Sequence, residues 1–330
     1  MMPAASQTSS VPIAATGRAG TAAMPRHHAM IFLALLAAGL AGPFFLYPVF
    51  LMKVMCFALF ASAFNLLLGY TGLLSFGHAA YFGGASYVAA HAAKVWGVAP
   101  EIAILAGTLA AAILGLAIGA LAIRRQGIYF AMVTLAFAQM VFFFALQAPF
   151  TGGEDGIQAV PRGMLFGLVG LRSDFTLYFV VLAITLAGIL AVHRIIHSPF
   201  GQVLKAIREN EPRAISLGYR VNRYKLATFV LSATLAGLAG ATKAIVFQLA
   251  SLTDVHWAMS GEVVLMTLIG GVGTVFGPLL GAAVIVAMQN YLAAFGAWVT
   301  IIQGIIFIVC VLLFREGIVG VLARRLRQPL

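Results

Sequence analysis

The chain alternates long oily stretches with short polar ones. Apolar runs cover Met30–Tyr47, Phe50–Leu68, Gly72–Ala93, Glu101–Ile123, Ile128–Gln147, Phe175–Ile196, Leu226–Phe247, His256–Gly271, Phe276–Tyr291 and Trp298–Phe314. Such runs approach the about 20 residues that a helix needs to cross a bilayer core. The pattern predicts an all-α, polytopic transmembrane bundle of about ten membrane-crossing segments. Two of them look broken: TGLLSFGHAAYFGGASYVAAHAA (71–93) and GGVGTVFGPLLGAA (270–283) carry glycines, hydroxyl residues and a Phe-Gly pair. Small residues let helices approach closely, and interrupted helices expose backbone polar groups inside a bundle. Residues 72–93 and 256–291 therefore either cross fully or re-enter. The pairs Phe76-Gly77 and Phe276-Gly277 hint at an internal duplication.

Charge placement orients the segments. With odd segments leading out and even ones back, 15 of the 20 Lys and Arg residues fall on the side of the termini. Lys53, Lys94, Arg162, Arg172 and Lys243 fall on the other, together with Glu101, Glu154, Asp155, Asp174 and Asp254. Basic residues favour the cytoplasmic side, so both termini are expected there.

Composition agrees: 62% of residues are hydrophobic and 9% charged, against roughly a quarter charged in a soluble domain. The net charge of +11 sits at segment ends and in short loops, without a basic patch interleaved with stacking aromatics, so nucleic acid is not an expected partner. Residues 1–28 read as a disordered cytoplasmic leader, because the apolar run after Arg26-His27-His28 offers no convincing cleavage site. Residues 29–315 form the transmembrane domain and 316–330 a basic cytoplasmic tail. Cys56 and Cys310 lie inside apolar runs without metal-ligand spacing and read as small buried hydrophobes.

One polar stretch stands apart. SPFGQVLKAIRENEPRAISLGYRVNRYK (198–225) holds six of the basic residues and two of the nine acids. Pro199 and Gly201 are expected to end the sixth helix. Val203, Leu204 and Ile207 recur at helical spacing, Pro212 suits the first turn of a second short helix, and Gly218 suits a left-handed terminus. The result is two short amphipathic helices along the membrane surface, held by anionic lipid headgroups or docked to a cytoplasmic protein. The acids Glu209 and Glu211 favour docking, since they weaken lipid attraction and can pair with a partner's basic groups.

Polar residues inside apolar segments are costly and mark a candidate pathway: Asn65, Thr71, Ser75, His78, Thr134, Gln139, Glu262, Thr267 and Thr274. Each could equally satisfy a nearby backbone carbonyl or helix contact. Glu262, if deep, needs a partner, for which Lys243 is the candidate. The outer loop TGGEDGIQAVPRG (151–163) presents Glu154 and Asp155 either simply to solvent or to a delivery protein. Two carboxylates are too few for calcium, and His78 has no second ligand at metal spacing. GLAGATK (237–243) and GVGTVF (271–276) lack the spacing of nucleotide-binding loops, so energy from ATP would have to come from another subunit. No cofactor is expected.

NLLLGYTGLLSFGHAAYFGGASYVAA (65–90), GIYFAMVTLAFAQ (127–139), TGGEDGI (151–157), SPFGQVLKAIRENEPRAISLGYRV (198–221) and GEVVLMTLIGGVGTVFGPLLGA (261–282) together resemble the membrane permease of branched-chain amino acid ATP-binding-cassette (ABC) importers, the LivM type. The motifs cover nearly everything after residue 50, in order. The resemblance implies a multi-pass protein of the bacterial inner membrane that is not itself an enzyme. It implies that 198–221 is a cytoplasmic coupling loop, with Lys205, Ala206, Arg208, Glu209, Asn210, Glu211, Ala214 and Gly218 facing an ATP-hydrolysing subunit. It further implies two such ATPase subunits, a second permease of the LivH type, a periplasmic substrate-binding protein, and Leu, Ile or Val as cargo. Related permeases carry urea, short amides or aromatic acids. An ATPase-independent secondary transporter is the alternative from another class, but it would be expected to carry intramembrane acids for ion coupling, and here only Glu262 lies deep.

Overall fold

The computed structural model describes residues 26–167, 169–292 and 317–326, with isolated positions between 296 and 309. Helices dominate it: α1 (Arg26–Phe45), α2 (Pro48–Thr71), α3 (His78–Lys94), α4 (Pro100–Ala122), α5 (Ile128–Gln147), α6 (Asp174–His197), α7 (Pro199–Glu209), α8 (Glu211–Ser216), α9 (Val221–Phe247), α10 (Trp257–Gly270) and α11 (Gly277–Tyr291), then a C-terminal helix Gly317–Leu326. Prolines open several of them. Pro48, Pro100 and Pro199 each occupy a first helical position, where the missing N–H costs nothing, after an extended residue. Gly72, at φ +73°, ends α2 in the left-handed conformation.

Five helices are long and apolar enough to cross a membrane: α2, α4, α5, α6 and α9. α10 and α11 have 14 and 15 residues, less than a full crossing requires, and α3 has 17, at the lower limit. The expected tenth segment, 298–314, and its Cys310 lie outside the continuously described residues, as does most of the 1–28 leader. The third apolar run is not one helix from Gly72: residues 72–77 are non-helical and α3 starts at His78. The seventh starts earlier than its apolar run, at Val221, because Arg223 and Lys225 are absorbed into the first turns of α9.

α2 and α9 form the centre. Most of their apolar windows are buried, 72% and 67%, against 28% for α5 at the periphery. α9 packs on α2, α3 and α4, while α2 also carries α6, α10 and α11. Small residues set the spacing: a methyl group added at Gly240 would lie 1.9 Å from Phe82 O, and Ser86 Oγ donates across the same seam to Gly240 O at 2.7 Å. The bundle is capped by short strands that the all-helical reading missed. Ile157–Gln158 pairs antiparallel with Leu249–Ala250, and Met164–Leu165 with Val169–Gly170.

The ends of the bundle sort the loops as the charge pattern predicted. Gln126, between α4 and α5, reaches Glu211 of α8, and Lys225 at the start of α9 pairs with the same carboxylate. At the far end Lys94 donates to Gln158 O, Glu101 accepts from Phe166 N, and Arg162 joins Asp174 to Val246 O. Every residue in this second group belongs to the loops and helix ends assigned to the outside.

Candidate functional site

The charged stretch folds into two short helices. Ser198 ends α6 and caps α7 by accepting from Gly201 N, and Asn210 caps α8 by accepting from Arg213 N. Pro199 and Gly201 thus start α7 rather than end α6. Gly201 is buried there, and a methyl group on it would meet Ile196 O at 2.2 Å. Leu204 is buried, and Ile207 and Ala214 turn inward and pack with Val221. Pro212 lies in the first turn of α8, and Gly218, at φ +88°, follows its end.

Of the two acids, Glu209 faces outward and the other does not. Glu211 is held inside the chain: Lys225 Nζ donates to its Oε1 at 2.8 Å and Gln126 Nε2 donates to the same oxygen at 3.2 Å. Asn210 is occupied as a cap. Ala206 and Glu209 are exposed, Lys205 is half-buried over the Tyr70 ring, and Ala214 is buried. The exposed surface of α8 and the turn after it carries Ile215, Leu217 and Tyr219 among Arg213, Ser216 and Arg220. Sequence periodicity missed these because they follow the helical stripe rather than belong to it.

Arg208 links this hairpin to the core. Its Nη1 donates to Gly69 O in the last turn of α2. Gly69 in turn faces the α10–α11 turn so closely that a methyl group there would lie 2.7 Å from Gly273 N. Asn65, one turn earlier, closes the contact: its Nδ2 donates to Thr274 O at 2.8 Å, and its Oδ1 accepts from Gly273 N at 2.9 Å. The two glycine-bearing turns also resemble one another. Residues 72–77 and 271–276 are equal in length; Ser75 Oγ accepts from Gly77 N, and Thr274 Oγ1 from Gly277 N. The Phe-Gly pairs open the following helices one residue out of register: Gly77 precedes the first residue of α3, whereas Gly277 is itself the first residue of α11.

The other polar candidates mostly stabilise backbone. Thr71, Thr134, Thr267 and Thr274 each donate to a carbonyl three or four residues earlier. Thr134 also accepts from Phe76 N, fastening the first turn to α5. His78 is fully enclosed by Phe64, Tyr81 and Phe229. Ser232 donates its one proton to Ala63 O at 2.5 Å, so it accepts from His78 Nε2 at 2.9 Å. Gln139 is half-buried midway along α5. Asn65, Thr71, Ser75, His78, Thr134 and Thr274 thus sit at or near the two turns, whereas Glu262 does not.

Glu262 lies toward the far end and its partner is not Lys243. Gln289 Nε2 of α11 donates to it at 3.0 Å. Lys243 pairs with Asp254, at 2.5 and 2.6 Å to the two carboxylate oxygens. Asp254, expected on the outer side, is buried in the α9–α10 connection. Glu154 and Asp155 are exposed at the same end, on a loop stapled down through Ile157.

Long buried helices, short helices meeting the core at glycine-bearing turns, and an amphipathic hairpin at one end define a polytopic membrane protein of the transporter kind. The chain belongs to the family described as branched-chain amino acid transport system, permease component, which matches residues 46–311. It is 27% identical over 277 residues to the high-affinity branched-chain amino acid transport system permease protein LivM of Escherichia coli, covering 77% of this chain and 65% of that relative. A probable branched-chain amino acid transport permease LivH of Methanocaldococcus jannaschii is 25% identical over 284 residues, 79% of this chain and 87% of the relative. The ribose import permease RbsC of Bacillus subtilis is 29% identical over 195 residues, 54% of this chain and 58% of the relative. The chain thus spans just under two thirds of its LivM relative. No solved structure matches. As a member of this family with five apolar crossing helices, the chain is a multi-pass protein of the bacterial inner membrane.

Proposed function

We propose that the chain is one membrane subunit of an ATP-driven importer for branched-chain amino acids. The ATP is hydrolysed by two separate cytoplasmic subunits that dock on α7 and α8. A second permease of the LivH type completes the pathway, and a periplasmic binding protein delivers cargo to the far end, where Glu154 and Asp155 are exposed. Ten crossings, counting the segments shorter than a full span and 298–314, put both termini in the cytoplasm, with 1–28 as leader and 316–330 as basic tail.

The observation that carries this reading is the α7–α8 hairpin. A basic loop held only by lipid needs no internal scaffold, whereas this one is braced through Glu211–Lys225 and Arg208–Gly69 and presents exposed Ile215, Leu217 and Tyr219 beside Ala206 and Glu209. Exposed apolar groups interleaved with basic ones suit a protein partner. Closure of the ATPases on ATP would push this hairpin. The push passes into α6 and α9, which flank it, and through Arg208 into α2 and the α10–α11 turn, switching the cavity between outward and inward access.

The test is co-purification of the ATPase with Leu217→Glu, together with leucine uptake in proteoliposomes with and without ATP. Loss of the ATPase from the variant and ATP-dependent uptake by wild type support the proposal. Uptake without ATP would point to a secondary transporter, and uptake of urea, a short amide or an aromatic acid in place of leucine would keep the machine and change its cargo.

A further inference from the structure

The far end of the bundle carries a second set of charges that the hairpin does not use. α2, α9, α10 and α11 bring together Lys53, Lys243, Asp254, Glu262 and Gln289. Two of these groups have partners: Lys243 is spent on Asp254, and Glu262 accepts from Gln289. Lys53 has none. Asp254 and Glu262 attract its ammonium and Lys243 repels it, but among the described residues no carboxylate stands within ion-pair distance of it. An ammonium one and a half turns into an apolar helix, half-buried and unpaired, is costly unless something supplies the opposite charge.

A cavity of about 430 Å³ lies against that ammonium. Its walls include Phe50 of α2, Phe247 at the end of α9, and Asn290 and Tyr291 at the end of α11, with Tyr47 at its rim. The volume is within the roughly 300–1,000 Å³ of small-ligand clefts. One cation, an amide and two phenols beside aromatic and aliphatic walls match a small molecule with an anionic head and an apolar body. That chemistry is shared by the carboxylate of an aliphatic amino acid and by an anionic lipid. The cavity would hold the whole of the former but only the headgroup of the latter, and the competition below separates them.

Resting on the importer reading above, we infer that this cavity is a low-affinity entry site in which Lys53 holds the carboxylate of the incoming amino acid while Phe50 and Phe247 cover its side chain. The neighbouring Asp254–Lys243 and Glu262–Gln289 pairs fix the surrounding charge, so that only Lys53 is left to answer the ligand. A site with one charge contact binds weakly and releases readily, which suits a station between a delivery protein and a pore.

The experiment uses the full chain in phosphatidylcholine nanodiscs, with saturation-transfer NMR on L-leucine. Isocaproate, which keeps the carboxylate, is expected to displace the leucine signal, and isoamylamine, which keeps the amine, is not. Losing one charge-assisted contact should weaken binding roughly tenfold or more in Lys53→Gln, and Lys53→Arg should restore it. Displacement by isoamylamine alone, or a signal unchanged in Lys53→Gln, overturns the assignment. So does a signal abolished by adding phosphatidylglycerol, with native mass spectrometry retaining that lipid on wild type and not on Lys53→Gln; the site would then be a lipid's. The competition arm on wild type decides the matter even if a variant misfolds. Absence of ATP-driven leucine uptake by the wild-type assembled complex would count against the importer reading itself. Uptake present, with leucine binding indifferent to Lys53, would remove this inference alone.

Discussion

Asn65 is the residue whose replacement tests the core of the coupling scheme. Its amide joins α2 to the α10–α11 turn by two hydrogen bonds, to Thr274 O at 2.8 Å and from Gly273 N at 2.9 Å, and the side chain is 1% exposed. Asn65→Leu keeps the branching at Cγ, although it is bulkier, and removes both bonds. Two accounts of the cost differ in size. Side-chain hydrogen bonds between membrane helices average about 0.6 kcal/mol, because the reference state finds other partners, so two simple losses amount to about 1.2 kcal/mol. Leaving a buried backbone N–H and C=O without partners costs about 1–3 kcal/mol each, or about 2–6 kcal/mol together. Packing favours the larger figure: Gly69, at the same contact, leaves no room for a methyl group, and so little for a substitute water. The expected result is a destabilisation above about 2 kcal/mol by unfolding titration in mixed micelles. ATP turnover in the assembled complex should persist while uptake per ATP falls. Asn65→Asp sharpens the test. It keeps the acceptor for Gly273 N but sets a carboxylate oxygen against Thr274 O, and should be at least as damaging as loss of that bond alone. A change within about 0.5 kcal/mol for Asn65→Leu, with coupling intact, would refute the role given to the clasp.

The remaining predictions concern packing and the charge pairs. Gly240→Ala should part α9 from α3, since its methyl group would meet Phe82 O at 1.9 Å; a loss of about 1–3 kcal/mol or more is expected, read by the same unfolding titration. Asp254→Asn, which leaves Lys243 buried and unpaired, should cost about 3–5 kcal/mol, whereas the double change Lys243→Met with Asp254→Leu should regain most of it. Glu211→Ala should loosen α8 by freeing the buried Lys225, giving faster hydrogen exchange across 211–225. Loss of ATPase binding without that change in exchange would restore Glu211 to a direct contact.

The crossing helices were legible because lipid imposes one rule on every span: apolar outside, hydrogen-bonded within. Hence the bounds of α5 follow its oily run, and the ends of the bundle match the charge pattern. Helix breaks were less visible. Gly72 reads as one small residue among many until its left-handed backbone stops α2, and Val221 opens α9 inside a polar stretch because Lys225 finds Glu211. The ion pairs were misassigned for a related reason. Lys243 and Glu262 are on adjacent helices, but which carboxylate a lysine takes depends on rotation about the helix axis, which hydropathy leaves open where both faces of a helix are oily. The burial of Asp254 was not visible in the sequence because it depends on the 3₁₀ turn between α9 and α10.

The shortness of α10 and α11 bears on how force would travel. A full crossing anchored at both interfaces resists displacement along its axis, whereas a hairpin of 14 and 15 residues ends in a turn held by specific contacts. Here those contacts are the Asn65 amide on one side and the close approach of Gly69 on the other, with Arg208 of the hairpin bonded to the same glycine. Displacing α7 would strain the bond to Gly69 first, and Gly69 cannot move without pressing on Gly273. The turn is thus the softest element that the push meets, and the opposite ends of α10 and α11 carry Glu262 and Gln289, beside Lys53. A movement started at the α7–α8 hairpin would arrive, through two short helices, beside Lys53, the charge that we assign to cargo.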